Sequence, residues 1–193
     1  MIPIRHFLEY ILVRILIFSV TPLSQKQVVL FGRILGAAVY RFSGKRQKAA
    51  FTNLDIIFSD SHSTNQKMRI IKDSFKALAI SALQSIWVIA NTEERVRQLI
   101  EGEPKGLDIL KNCLEKEKGI FFLTAHYGNW EVMGLNHGLL GICPLSSIVR
   151  KLDNPYLDAF VTRMRTATGN QVLYRDDSLL KMVRELKNNN SVA

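Results

Sequence analysis

Gly119-Ile120-Phe121-Phe122-Leu123-Thr124-Ala125-His126-Tyr127-Gly128-Asn129-Trp130-Glu131-Val132-Met133-Gly134 passes from one structural pattern to another within a single short stretch. Ile120 to Leu123 is apolar, rich in β-branched and aromatic side chains, and opened by a glycine, which is how a strand buried on both faces reads. It is too short for a helix. Thr124, Ala125 and His126 follow, then a small-residue turn at Gly128 and Asn129, and a helical pattern resumes at Trp130 and Glu131. An imidazole and a carboxylate therefore fall where a strand hands over to a helix. Open α/β sheets bind ligands at the carboxyl ends of their strands, because the loops diverge there and the next helix offers free backbone N–H groups.

Outward from this stretch toward the C-terminus, helical and strand patterns alternate, the mark of a parallel sheet. Pro104 precedes a helix carrying Leu107, Leu110 and Leu114 on one face, and Gly119 ends it. Ser146–Val149 reads as a second strand that delivers Arg150 at its carboxyl end. Asn154 and Pro155 then cap and start a helix that Gly169 ends. Gln171–Tyr174 reads as a third strand, and Ser178 as the cap of a helix from Leu179 to Lys187. After the closing run Asn188-Asn189-Asn190, Ser191-Val192-Ala193 looks like the start of a further strand. The expected fold is α/β with a mostly parallel central sheet, truncated at the C-terminus, one strand position unfilled and a sheet edge exposed.

Toward the N-terminus the composition shifts. The chain of 193 residues is 47% apolar and 22% charged with a mean hydropathy of +0.05, globular and more apolar than most soluble domains. Of its net charge of +9, most lies in residues 1–50, where eight Lys or Arg face the single acid Glu9. A basic region suits nucleic acid or an anionic membrane surface. The interleaved Phe7, Leu8, Ile11, Leu12, Val13, Ile15, Leu16, Ile17 and Phe18 favour lipid and argue against nucleic acid. The apolar run from Phe7 to Val20 contains Glu9 and Arg14 and falls short of the roughly 20 apolar residues of a spanning helix. An interfacial helix over residues 1–22 is expected, with Arg5 and Arg14 reaching headgroups. A signal peptide and a buried core helix are the rival readings. Residues 23–193 then form the remaining, incomplete domain.

Gln25 to Phe42 reads as a helix in which Gly32 and Gly36 permit close packing, followed by the basic run Lys45-Arg46-Gln47-Lys48, either a solvated helix start or a headgroup-binding patch. Ser63 to Gln66 is a capping box opening a long helix whose stripe Ile71, Phe75, Leu78, Ala82, Ile86 and Ile89 is expected to be core. Trp87 reads as packing. Cys113 and Cys143 have no metal or disulfide spacing, which fits a reducing compartment. His137 reads as a packing histidine, and no metal ligand set is predicted.

His126 and Glu131 have a chemistry of their own. A carboxylate on one ring nitrogen fixes the tautomer and leaves the other as a base near neutral pH. The bland alternative is a loop histidine beside a first-turn acid favoured by the helix dipole.

Thr124 to Glu131 resembles the His-x4-Asp/Glu signature of the bacterial lipid A biosynthesis acyltransferases. Arg150-Lys151-Leu152-Asp153-Asn154-Pro155 is similar to that family's Arg-x3-Asn-Pro segment, and Ala49 to Leu54, continuing to Phe58, to its upstream Asn-Leu segment. The resemblance implies acyl transfer from an acyl carrier protein thioester, with acyl-CoA the alternative donor, to a hydroxyl of a lipid A precursor at the cytoplasmic face of the inner membrane. It implies His126 as general base, Glu131 as its orienting carboxylate, and Arg150, Asn129 and Asn154 as substrate-binding residues, with no cofactor. The partners implied are the carrier protein, the lipid acceptor and the membrane surface. Another glycolipid or glycerophosphate acceptor, or a non-catalytic membrane-binding role, are the competing readings.

Overall fold

The structure is a computed structural model; it describes residues 3–102 and 104–193, with the side chains at 177 and 178 outside the description. The cap expected at Ser178 falls on one of those side chains. The chain divides into two compact units, Ser19–Trp87 and a second that joins the residues up to Phe18 with Val88–Ala193.

The chain begins with α1, Ile4–Val20. The helical unit that follows contains α2 (Gln25–Phe42), α3 (Gly44–Phe58) and α4 (Thr64–Trp87). Ser24 and Gln27 close a capping box at the start of α2, and Ser63 and Gln66 do the same before α4. The glycine pair acts as its spacing predicts. A Cβ on Gly36 would lie 2.5 Å from Lys76 Cα, and one on Gly32 2.7 Å from Ile80, so only glycine lets the two helix backbones meet. This crossing sets which face of α4 is inward. The buried line runs through Ile71, Leu83 and Trp87, whereas Leu78, expected in the core, is 55% exposed. The indole of Trp87 donates to the Leu23 carbonyl at 2.7 Å, which makes it the packing residue anticipated. Lys45, Arg46 and Lys48 stand exposed in the first turns of α3.

The second unit continues with α5 (Thr92–Leu99), α6 (Leu107–Leu114), β1 (Ile120–Phe121), α7 (Trp130–Leu140), β2 (Leu145–Val149), α8 (Pro155–Thr166), β3 (Gln171–Tyr174), α9 (Ser178–Lys187) and β4 (Ser191–Val192). The strands are parallel, in the order β1-β4-β2-β3. Here the structure corrects the sequence expectation. Ser191 to Ala193 occupies a central place, with Ser191 beside Ile120 on one side and Leu145 on the other. Ala193 N–H donates to the Ser146 carbonyl at 3.0 Å, and its carbonyl accepts from Ile148 N–H at 2.7 Å. Ser191 and Val192 are wholly buried, as a strand covered on both faces must be. Gly119 has a similar close neighbour: a Cβ there would stand 2.3 Å from the Leu186 carbonyl oxygen of α9.

The first part of α1 packs in this unit by one face only. His6 is buried, and the rings of Phe7 and Tyr10 stand 6.3 and 5.5 Å from that of Tyr156. Ile4, Leu8, Leu12, Ile15 and Phe18 point the other way, with Ile4 80% and Phe18 82% exposed. No helix among the described residues is long and apolar enough to cross a membrane.

Candidate active site

Sheet pairing outlasts β1 by one bond, Phe122 N–H to the Val192 carbonyl at 2.8 Å, after which the chain turns away from the sheet. A tight turn follows, closed by Tyr127 N–H on the Ala125 carbonyl at 2.8 Å. Asn129 then caps α7, its Oδ1 accepting from Val132 N–H at 3.2 Å. This sequence of turn and cap leaves His126 exposed at the carboxyl end of the sheet, its ring 4.8 Å from that of Trp130 and tilted by 55°.

Glu131 lies in the first turn of α7, where the helix dipole favours a negative charge. Its carboxylate is gripped by Arg165, from the last turn of α8. Arg165 Nε donates to Oε2 at 2.9 Å and a terminal guanidinium nitrogen donates to Oε1, giving a two-bonded fork. The side chains are 18% and 30% exposed, so the pair is largely withdrawn from water. The Glu131 hydrogen bond raises the Arg165 pKa above its ordinary value, against the opposing effect of burial and with help from the charges of Glu131 and Asp158. The guanidinium is thus a permanent positive charge in the site. Asp158 is itself buried and accepts from Leu152 N–H at 2.9 Å and from the Tyr174 hydroxyl at 2.6 Å, tying α8 to β3.

His126, Glu131 and Arg165 line one pocket of about 470 Å³. Apolar side chains, among them Phe122, Met133, Leu135 and Val149, supply most of its wall. An apolar slot with a few polar groups at the carboxyl end of a parallel sheet is the usual form of a small-molecule site. His137 also reaches this wall, while packing edge-on against Phe122 and donating to the Cys143 carbonyl at 3.1 Å.

The residues singled out in the sequence are not all brought together. His126 and Glu131 share the pocket, but among the described residues no hydrogen bond joins them: Glu131 is bound to Arg165, and the His126 ring lies tilted beside Trp130. Arg150 stands at the end of β2, 75% exposed, 3.9 Å from Asp153 and outside the pocket lining. Asn129 and Asn154 are helix caps. For Asn154 the hydrogen-bonding capacity of the side chain is full: Oδ1 accepts from Tyr156 and Leu157 N–H, and Nδ2 donates to the His6 carbonyl and to Glu9. That leaves it no lone pair or proton for a substrate. Arg165 escaped sequence reasoning, because a basic residue in a last helical turn reads as an ordinary complement to the helix dipole.

The family model described as bacterial lipid A biosynthesis acyltransferase matches residues 3–193. The chain is 25% identical over 162 residues to the lipid A biosynthesis palmitoleoyltransferase of Escherichia coli K12, covering 83% of this chain and 51% of that protein. It is equally similar to the lipid A biosynthesis acyltransferase of Shigella flexneri, with the same coverage. With the lauroyltransferase of Escherichia coli K12 it shares 22% identity over 183 residues, 95% of this chain and 58% of the other. The chain spans about half the length of the curated relatives it matches.

Proposed function

Because the chain belongs to the bacterial lipid A biosynthesis acyltransferase family, we propose that it transfers a fatty acyl chain from an acyl carrier protein thioester to a hydroxyl of a lipid A precursor at the cytoplasmic surface of the inner membrane. The observation that supports this reading is that His126, itself exposed, lines the same largely apolar pocket as the Glu131–Arg165 pair. A hydrocarbon chain suits the apolar wall, and the reacting carbonyl would then lie beside His126 and Arg165.

In this mechanism His126 accepts the proton of the acceptor hydroxyl as its oxygen attacks the thioester carbonyl. The tetrahedral intermediate carries a negative oxygen; Arg165 keeps three of its five N–H donors beyond the two given to Glu131, and these stabilise that charge. Collapse breaks the carbon–sulfur bond, and the imidazolium returns its proton to the leaving thiolate. The products are an ester and a free thiol. No covalent acyl-enzyme is needed, since the thioester is already activated. Glu131 has two roles here, fixing Arg165 and placing negative charge near the imidazolium. Arg150, exposed at the end of β2, suits an acceptor phosphate outside the pocket, a contact that Arg150→Lys weakens because an ammonium lacks the guanidinium fork.

Mass spectrometry of lipids from cells with and without the gene tests the reading. Loss of one acyl chain from lipid A on deletion is the expected result. An unchanged lipid A with an altered glycolipid or glycerophospholipid would assign the enzyme to another acceptor.

A further inference from the structure

The amide of Asn154 joins two parts of the chain that lie far apart in sequence. Its Oδ1 caps α8, while its Nδ2 donates to the His6 carbonyl at 2.8 Å and to Glu9 Oε2 at 2.9 Å, both on α1. Asn154 is buried, and so is His6. Beside this bond the Tyr156 ring is contacted by Phe7 and Tyr10. The inward face of α1 is therefore clamped to the first turn of α8, and the last turn of α8 carries Arg165. The outward face of α1 shows Ile4, Leu8, Leu12, Ile15 and Phe18 to the surroundings, with Arg5 and Arg14 also exposed. An apolar stripe flanked by cations is complementary to an anionic bilayer surface.

We propose that Asn154 is a positioning residue, a latch that fixes the lipid-facing helix α1 to the helix bearing Arg165, so that seating of α1 on the bilayer holds the acyl-transfer site in its working geometry. This rests on the acyltransferase reading for its catalytic consequence, but the latch itself is testable without turnover. The hydrogen-bonding pattern supplies the variants. Asn154→Asp keeps a good N-cap for α8, because a carboxylate accepts from the same N–H groups. It removes the donor to α1 and sets a like charge against Glu9. Adding Glu9→Gln restores a donor–acceptor pair with the polarity reversed.

Amide hydrogen exchange on the protein bound to vesicles of phosphatidylethanolamine and phosphatidylglycerol reads the latch directly. In Asn154→Asp the amides of α1 should exchange about tenfold faster or more, the loss expected for a hydrogen bond to a charged group. In the double variant exchange should return toward the unsubstituted rate. Turnover on acceptor embedded in the same vesicles should fall and recover in parallel, whereas a substrate-contacting Asn154 would lose turnover that Glu9→Gln does not restore. Unchanged α1 exchange in Asn154→Asp, or exchange and turnover that the second substitution leaves unrescued, would overturn the proposal. Absence of turnover in the unsubstituted protein, with the exchange pattern intact, would instead count against the acyltransferase reading and leave the latch standing.

Discussion

Glu131 and Arg165 illustrate what a local motif reveals and what it hides. His126 and Glu131 are legible in the sequence because both lie within one strand-to-helix passage, and the cap at Asn154 is legible because the N–H donors it accepts from, those of Tyr156 and Leu157, are its near neighbours in the chain. The partner of Glu131 is 34 residues away, and the partners of the Asn154 Nδ2 are 148 and 145 residues away. No spacing rule reaches so far. The fork between Arg165 and Glu131 has a measurable consequence. Arg165→Met leaves a mostly buried carboxylate without its counter-charge and should lower stability by about 1–2 kcal/mol, less than for a fully buried pair because both groups retain some solvent. Urea unfolding measures this, and Arg165→Lys should fall between the two, keeping the charge but losing the fork. Equal stability of all three proteins would reduce the pair to a surface contact.

Among the elements, β3 keeps the bounds that its apolar run predicts, and α2 runs from Gln25 to Phe42 as read. Strand order was out of reach, since local pattern marks a strand without saying which neighbours it takes. Thus Ser191–Val192 reads as a chain end yet lies between β1 and β2. The short α5 is missing from the sequence reading because its few apolar residues, with Val96 the buried one, give no extended stripe. Close approach of α9 to the entry of β1 makes Gly119 the sensitive position of this layer. Gly119→Ala puts a carbon against backbone, which cannot move aside alone, and should destabilise by about 1–3 kcal/mol. Gly134→Ala on α7 meets nothing within 4 Å and should instead stabilise by up to about 1 kcal/mol through helix propensity. Thermal melting of the two variants compares them; a Gly119→Ala protein as stable as the parent would contradict the packing described.

At the scale of the whole molecule, the uneven charge and the apolar N-terminal run are legible from composition, and the single-faced docking of α1 is not, because both faces of that helix are apolar. The packed partners Tyr156 and Asn154 tell inward from outward. The outward face gives a direct expectation about membranes. Leu8→Glu with Leu12→Glu adds two negative charges to the exposed stripe without touching His6, Glu9 or Tyr10, and should weaken binding to anionic vesicles more than tenfold, given roughly 1.5–3 kcal/mol for burying each leucine. Co-sedimentation with vesicles measures it, with circular dichroism to verify the fold. Undiminished binding would move the lipid contact elsewhere on the molecule.

The most direct test of the proposed chemistry is the rate of acyl transfer from acyl carrier protein thioester to a lipid A precursor by the protein and by His126→Ala, followed by mass spectrometry of the product. His126 is exposed, so its removal should leave the fold intact while lowering turnover by about 10²–10⁴-fold, the usual worth of a general base. Product formed by His126→Ala at the rate of the unsubstituted protein would contradict the account.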